Sequence, residues 1–312
     1  MKKILFATFV IILVAAGGLW AFLWSEQNQK SDNGKITVVA TLFPLYDFIQ
    51  NIGRDKIEVT LLLPPGVEPH TFEPKPTDIA KINRADVFVY TGKFMEPWAQ
   101  DIITGLANKK TTVVNASDNI SLTPGLFHDQ DEPPGSLDPH VWLDFDNVKI
   151  IVDNVTNGLI KRDPDHAAFY SANANAYKEQ ITRLDNDYGI ALALCQNKKI
   201  IYGGHYAFGY LARRYKLEYI AAQGVSPDAE PTAQDLINLV EQIKRDKIKY
   251  IFYEELTSPK IAQTVAKETG AQMILLNAAH NLSKKDLTAK VGFISIMRNN
   301  LNNLKIGLRC GN

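Results

Sequence analysis

The sequence predicts an α/β protein of two lobes, each a mainly parallel four-stranded sheet flanked by helices. The lobes are joined by one long helix and separated by a cleft. Three observations carry this. Short β-branched and aromatic runs alternate with helical patterns, as parallel βαβ units require. The alternation occurs twice, in the two halves of the 312-residue chain. Between the halves lies a long helical pattern in which Tyr170, Ala174, Tyr177, Ile181 and Leu184 recur at three- and four-residue steps, one face of a helix.

Residues 1–24 stand apart from the fold. Lys2 and Lys3 precede an uncharged run from Ile4 to Trp24, long enough to span a bilayer. The basic start predicts a cytoplasmic N-terminus and a body outside the cytoplasm. The run reads as an uncleaved anchor in preference to a cleaved signal segment, and it contains no cysteine for a lipid anchor. Residues 25–34 are a polar linker.

Residues 35–165 form the first lobe. Ile36–Thr41 is a strand, and Phe43-Pro44 leads into a helix from Leu45 to Ile52. Ile57–Leu63 is a second buried strand. It opens into the proline-stiffened loop Pro64–Pro76, with His70 at its centre, and then a helix capped by Thr77. Asp86–Tyr90 is a strand, Glu96–Leu106 a helix and Thr111–Val114 a fourth strand. Asn115–Pro139 is a surface loop rich in Pro, Gly, Asp and Ser. Asp138-Pro139-His140-Val141-Trp142 leads into a helix from Val148 to Ile160. Residues 166–195 are the connecting helix.

Residues 196–312 repeat the scheme. Strand Lys199–Tyr202 ends in Gly203-Gly204-His205 and is followed by a helix from Tyr206 to Tyr215 and strand Leu217–Ala221. Glu230-Pro231-Thr232-Ala233-Gln234-Asp235 opens a helix much as Pro74-Lys75-Pro76-Thr77-Asp78 does in the first half. Strand Tyr250–Tyr253 ends at Glu254-Glu255. Helix Pro259–Thr269, strand Gln272–Leu276 and a last helix near Phe293–Leu308 complete the lobe.

Lys and Arg balance Asp and Glu at 34 each, which leaves no electrostatic footprint for nucleic acid. Six histidines carry most of the chemical information. His70, His140 and His205 each lie at a strand or loop end facing the predicted cleft, where open parallel sheets bind ligands. Neutral imidazoles favour zinc over hard cations. These three are far apart in sequence, so the fold must assemble the site. His128 and His166 read as surface residues. Cys195 and Cys310 are the only cysteines, and the sequence leaves their pairing open.

Three segments, Pro69-His70-Thr71-Phe72-Glu73-Pro74-Lys75-Pro76, Leu137-Asp138-Pro139-His140-Val141-Trp142-Leu143 and Gly203-Gly204-His205-Tyr206-Ala207-Phe208-Gly209-Tyr210, occur in an order that resembles the zinc- and manganese-binding solute receptors of ABC importers, the ZnuA/TroA-like group. The resemblance runs from about Ile36 to Leu308. It implies two α/β lobes on a rigid backbone helix, with His70, His140 and His205 as metal ligands in the cleft. It also implies an extracytoplasmic monomer, anchored to the cell membrane or secreted, that hands the metal to a permease and its ATPase. The family's fourth ligand is an Asp, where this chain has Leu275-Leu276-Asn277-Ala278-Ala279-His280. The fourth position then falls to water, Glu254, Glu255 or Asn277, with Glu254 the choice carried forward and His280 close by. The histidine-rich loop of the zinc receptors is reduced to His128 and its acidic neighbours. With a carboxylate missing, zinc is expected over manganese. A zinc hydrolase using Glu254 or Glu255 as general base, and a metal-binding surface adhesin, are the competing readings.

Overall fold

The computed structural model describes residues 34–125, 136–224, 231–256 and 258–311. The segment expected to enter the membrane, the linker before Gly34 and the loop around His128 lie outside the described residues. Among the described residues no helix is long and apolar enough to cross a membrane.

Two parallel sheets form, and they share one topology. The first contains β1 (Ile36–Ala40), β2 (Ile57–Leu61), β3 (Val87–Tyr90) and β4 (Thr112–Asn115), in the order β2-β1-β3-β4. The second contains β5 (Lys199–Tyr202), β6 (Glu218–Ala221), β7 (Tyr250–Tyr253) and β8 (Gln272–Leu275), in the order β6-β5-β7-β8. All six pairings are parallel. The central strands β1, β3, β5 and β7 read as mainly apolar because both of their faces are covered. Val38 and Ala40 face the main core while Val39 faces a second cluster with Leu62, Ile82 and Phe88. In the other half, Ile200 and Tyr202 face the main core while Ile201 packs with Leu239, Ile243 and Ile251.

Helices α1 (Phe43–Gly53), α2 (Pro76–Arg84), α3 (Ala99–Gly105) and α4 (Phe145–Arg162) flank the first sheet. Helix α5 (Ala167–Ala193) bridges the halves, and α6 (Gly209–Arg214), α7 (Ala233–Arg245), α8 (Lys260–Thr269), α9 (Lys284–Thr288) and α10 (Phe293–Gly307) follow. Several helix starts differ from expectation by a few residues, and two of them show why. Helix α2 begins at Pro76 rather than after Thr77, because proline tolerates the first helical position, and the Asp78 carboxylate accepts from the Lys75 amide at 3.1 Å. The Asp235 carboxylate meets the Thr232 amide at 3.0 Å in the same way, so the internal duplication extends to the caps. Helix α4 begins at Phe145, its N-terminus capped by Asp144, which accepts from the Asp146 amide at 2.8 Å.

Helix α5 is the brace. At 1.5 Å per residue it is about 40 Å long, and Tyr170, Ala174, Tyr177, Ile181, Leu184 and Tyr188 are all buried. Its side chains bond to both halves. Asn173 donates to Ile52 O at 3.0 Å and Tyr177 to Asp47 at 3.0 Å in the first half, while Tyr188 donates to Met297 O at 2.6 Å in the second. The main core is continuous through it, from Val38 and Phe48 to Phe252, Phe293 and Leu304. Just past its C-terminus, Cys195 forms a disulfide with Cys310 across 115 residues, which resolves the pairing.

Candidate metal centre

Four segments meet where the carboxyl ends of the two sheets face each other. His70 lies on the loop between β2 and α2, its amide bonded to Glu68 Oε1 at 3.1 Å. His140 precedes α4 and is fully buried. Asp138 Oδ1 accepts from both its amide (2.9 Å) and its Nδ1 (2.7 Å). His205 leaves the end of β5 through two glycines. A Cβ on Gly203 would stand 2.8 Å from the Ala262 Cα, and one on Gly204 would stand 2.5 Å from Glu254 Oε2. The pair therefore lets β5 pass close to α8 and lets Glu254 reach His205, whose Nδ1 bonds its carboxylate at 2.9 Å. The fourth segment is the loop after β8, and it brings in His280.

The rings converge through Nε2. His70 to His140, His140 to His205 and His205 to His280 are each 3.3 Å apart at that atom. One nitrogen from each of the four histidines lies within 4.8 Å of all the others. Four donors at 2.0–2.1 Å around a tetrahedral ion would lie about 3.3–3.4 Å apart, and three of the Nε2 pairs have that spacing. The carboxylates of Asp138 and Glu254 hold the proton on Nδ1 of His140 and His205 and turn the Nε2 lone pairs inward. Burial pushes the His70 pKa down to about 3, with help from His205. Burial and the neighbouring rings also hold His140 and His280 well below the usual imidazole range. These three are therefore neutral at pH 7 and ready to donate. Burial pulls His205 down as well, but Glu254 outweighs it and its pKa is raised.

The structure thus brings His70, His140 and His205 together, and His280 lies with them. Glu254, the residue expected as fourth ligand, bonds the His205 Nδ1, on the far side of that ring from Nε2. Glu255 accepts from the Ala278 amide at 3.3 Å, and burial with the adjacent Glu254 raises its pKa well above the carboxylate range. Asn277 is turned away as well: its Oδ1 accepts from the Ala279 amide at 2.7 Å, and its backbone exchanges two bonds with Asn300. The signal for His280 was its position, three residues past Asn277 on a loop leaving a strand end. His280, Glu254 and Glu255 line a cleft of about 570 Å³ together with Glu68 and Leu256.

A family model described as zinc-uptake complex component A, periplasmic (ZnuA), matches residues 38–307. The chain belongs to the ZnuA family. Within that family it is similar to the high-affinity zinc uptake system protein ZnuA of Bacillus subtilis, 38% identical over 304 residues that cover 95% of this chain and 94% of the relative. The zinc-binding protein AdcA of Streptococcus pyogenes is 36% identical over 303 residues, which cover 91% of this chain and 59% of AdcA. This chain therefore spans about three-fifths of the length of the streptococcal relatives. Among solved structures, the Zn(II)-bound ZnuA-like domain of Streptococcus pneumoniae AdcA superposes with a TM-score of 0.76 at 36% identity, covering 88% of this chain and 99% of that domain.

Proposed function

We propose that this chain is an extracytoplasmic receptor that binds Zn²⁺ with high affinity and delivers it to the permease and ATPase of an ABC importer. One observation carries the reading: one nitrogen from each of four imidazoles lies within 4.8 Å of the others, with three Nε2 pairs 3.3 Å apart. His70, His140, His205 and His280 are the ligands in this reading. Asp138 and Glu254 brace two of them and bring two negative charges close to a dication that the neutral rings do not balance. The family and the zinc-named relatives support the same cargo.

An all-nitrogen donor set favours zinc over manganese, which prefers oxygen ligands. It also argues against the hydrolase, because His280 fills the position that a catalytic zinc keeps open for water. The first lobe is taken as residues 35–165, the connecting helix as 166–195 and the second lobe as 196–312. The uncharged run before Trp24 is taken to tether this monomeric body to the membrane.

Calorimetric titration of residues 35–312 with Zn²⁺ and Mn²⁺ tests the proposal. One tight zinc site is expected, with manganese binding far weaker. Replacing any one of the four histidines by Ala weakens it severely. A wild-type protein without a tight zinc site would sink the reading, and full retention of affinity in His280→Ala would remove His280 from the ligand set.

A further inference from the structure

Two of the four histidines are braced by carboxylates. The other two, His70 and His280, ride on loops, and these loops belong to opposite halves of the molecule. They are bonded to each other. Asn281, only 1% exposed, donates from Nδ2 to Pro64 O at 2.7 Å and to Val67 O at 2.9 Å. Its Oδ1 accepts from the Leu282 amide at 2.8 Å. The Gly66 amide donates back to Leu282 O at 2.9 Å. One amide side chain thus spends both its donor hydrogens in joining the His280 loop to the His70 loop, while its acceptor is taken within the His280 loop.

The rest of the His280 loop is already pinned elsewhere. Ala278 O accepts from Trp142 Nε1 at 2.8 Å, and His280 O accepts from the Phe43 amide at 3.3 Å. Ala279 is held at φ 58°, a conformation that an L-residue with a Cβ keeps only when its surroundings impose it. The His70 loop is stiffened by its prolines, and it meets the His280 loop through the Asn281 bonds and the Gly66–Leu282 bond.

We infer that Asn281 is a positioning residue that holds His70 and His280 at ligand spacing before metal arrives. It touches no metal in this role and acts through the two loops. The inference rests on the zinc reading for its consequence, while the loop coupling itself is a property of the metal-free protein. Such a clasp lowers the ordering cost of binding and slows metal release, since both loop ligands must move together to let go.

The test uses Asn281→Ala and Asn281→Asp, the second keeping the shape while replacing the two donors with an acceptor. Hydrogen exchange on the metal-free proteins should show faster exchange at 64–70 and 276–282, with the sheets unchanged. Zinc affinity should fall about 10- to 100-fold, as for other residues that orient ligands, mainly through faster release to a chelator. The Co²⁺ ligand-field spectrum should shift. In a His280→Ala background, adding Asn281→Ala should cost less than about threefold, because one of the two clasped ligands is already gone. Unchanged loop exchange with zinc release within twofold of wild type overturns the inference. So does failure of both variants to fold, or an undiminished loss in the His280→Ala background, each of which makes Asn281 a general structural residue. If wild-type protein holds no zinc, the functional reading fails, and loop exchange alone still decides the clasp.

Discussion

The two halves of the molecule solve one problem in two ways. Each sheet has the same strand order, and each half offers one histidine braced by a carboxylate and one on a loop. In the first half the brace is local, because Asp138 sits two residues before His140. In the second half it is tertiary: Glu254 comes from the end of β7, 49 residues beyond His205. The first arrangement needs only a turn. The second needs β5 and β7 to pair, and two glycines to let the carboxylate approach. The same electrostatic result thus depends on backbone geometry in one half and on sheet assembly in the other.

The halves also differ in covalent closure, and breaking that difference should have the largest effect. Removing the cystine with Cys195→Ser and Cys310→Ser should destabilise the protein by about 4–5 kcal/mol, as expected for a loop of this size, in chemical denaturation. Next come the four proposed ligands. Four donors sharing the roughly 10–16 kcal/mol typical of tight zinc sites imply about 2.5–4 kcal/mol each. His140→Ala and His205→Ala should therefore each weaken zinc binding by two to three orders of magnitude in a competition titration. Unequal losses would show that one half dominates the site.

The junction between the halves gives a pH-dependent prediction. Asp47 of α1 is buried against Tyr177 and the Phe293 amide, and burial raises its pKa from 3.8 to about 6. Because the folded value lies above the unfolded one, its contribution is fully present below about pH 4 and is lost as pH rises through 6. Relative to wild type, Asp47→Asn should gain up to about 3 kcal/mol in stability between pH 4 and pH 7, measured by urea unfolding at both values. A flat difference would mean that Asp47 ionises at the same pH in the folded and unfolded protein. The smallest effect is expected at the braces. Asp138→Asn and Glu254→Gln should each cost about 10- to 100-fold in zinc affinity. The Glu254 variant should also loosen the β5–β7 junction in hydrogen exchange, while Asp138→Asn leaves both sheets unchanged. Identical exchange in the two variants would erase the local-versus-tertiary distinction.

That distinction also sets what could be read from the chain. The alternation of strands and helices and the apolar face of α5 are local patterns, and the structure has them with ends shifted by a few residues. His70, His140 and His205 stand in distinctive settings of proline, Asp-Pro and Gly-Gly, so each could be singled out alone. His280 has no such setting. Its place at the centre depends on the Ala279 backbone, the Trp142 and Phe43 bonds and the Asn281 clasp, none of which is a short-range pattern. Glu254 drew attention for the right position, at a strand end beside the cleft, but periodicity does not say which nitrogen of a histidine a carboxylate will face. The pairing of Cys195 with Cys310 likewise waited on the distance between the end of α5 and the end of α10.

The cystine has one more effect. With Cys195 and Cys310 joined, everything between them, including His205 and His280, is a covalent ring carrying the rest of the chain as a tail. A protease that nicks an exposed loop inside that ring releases no fragment until the bond is reduced. Such a cut leaves the second sheet's strands attached to one another through the crosslink, so damage there is invisible on a non-reducing gel, whereas a cut anywhere before α5 separates the chain at once.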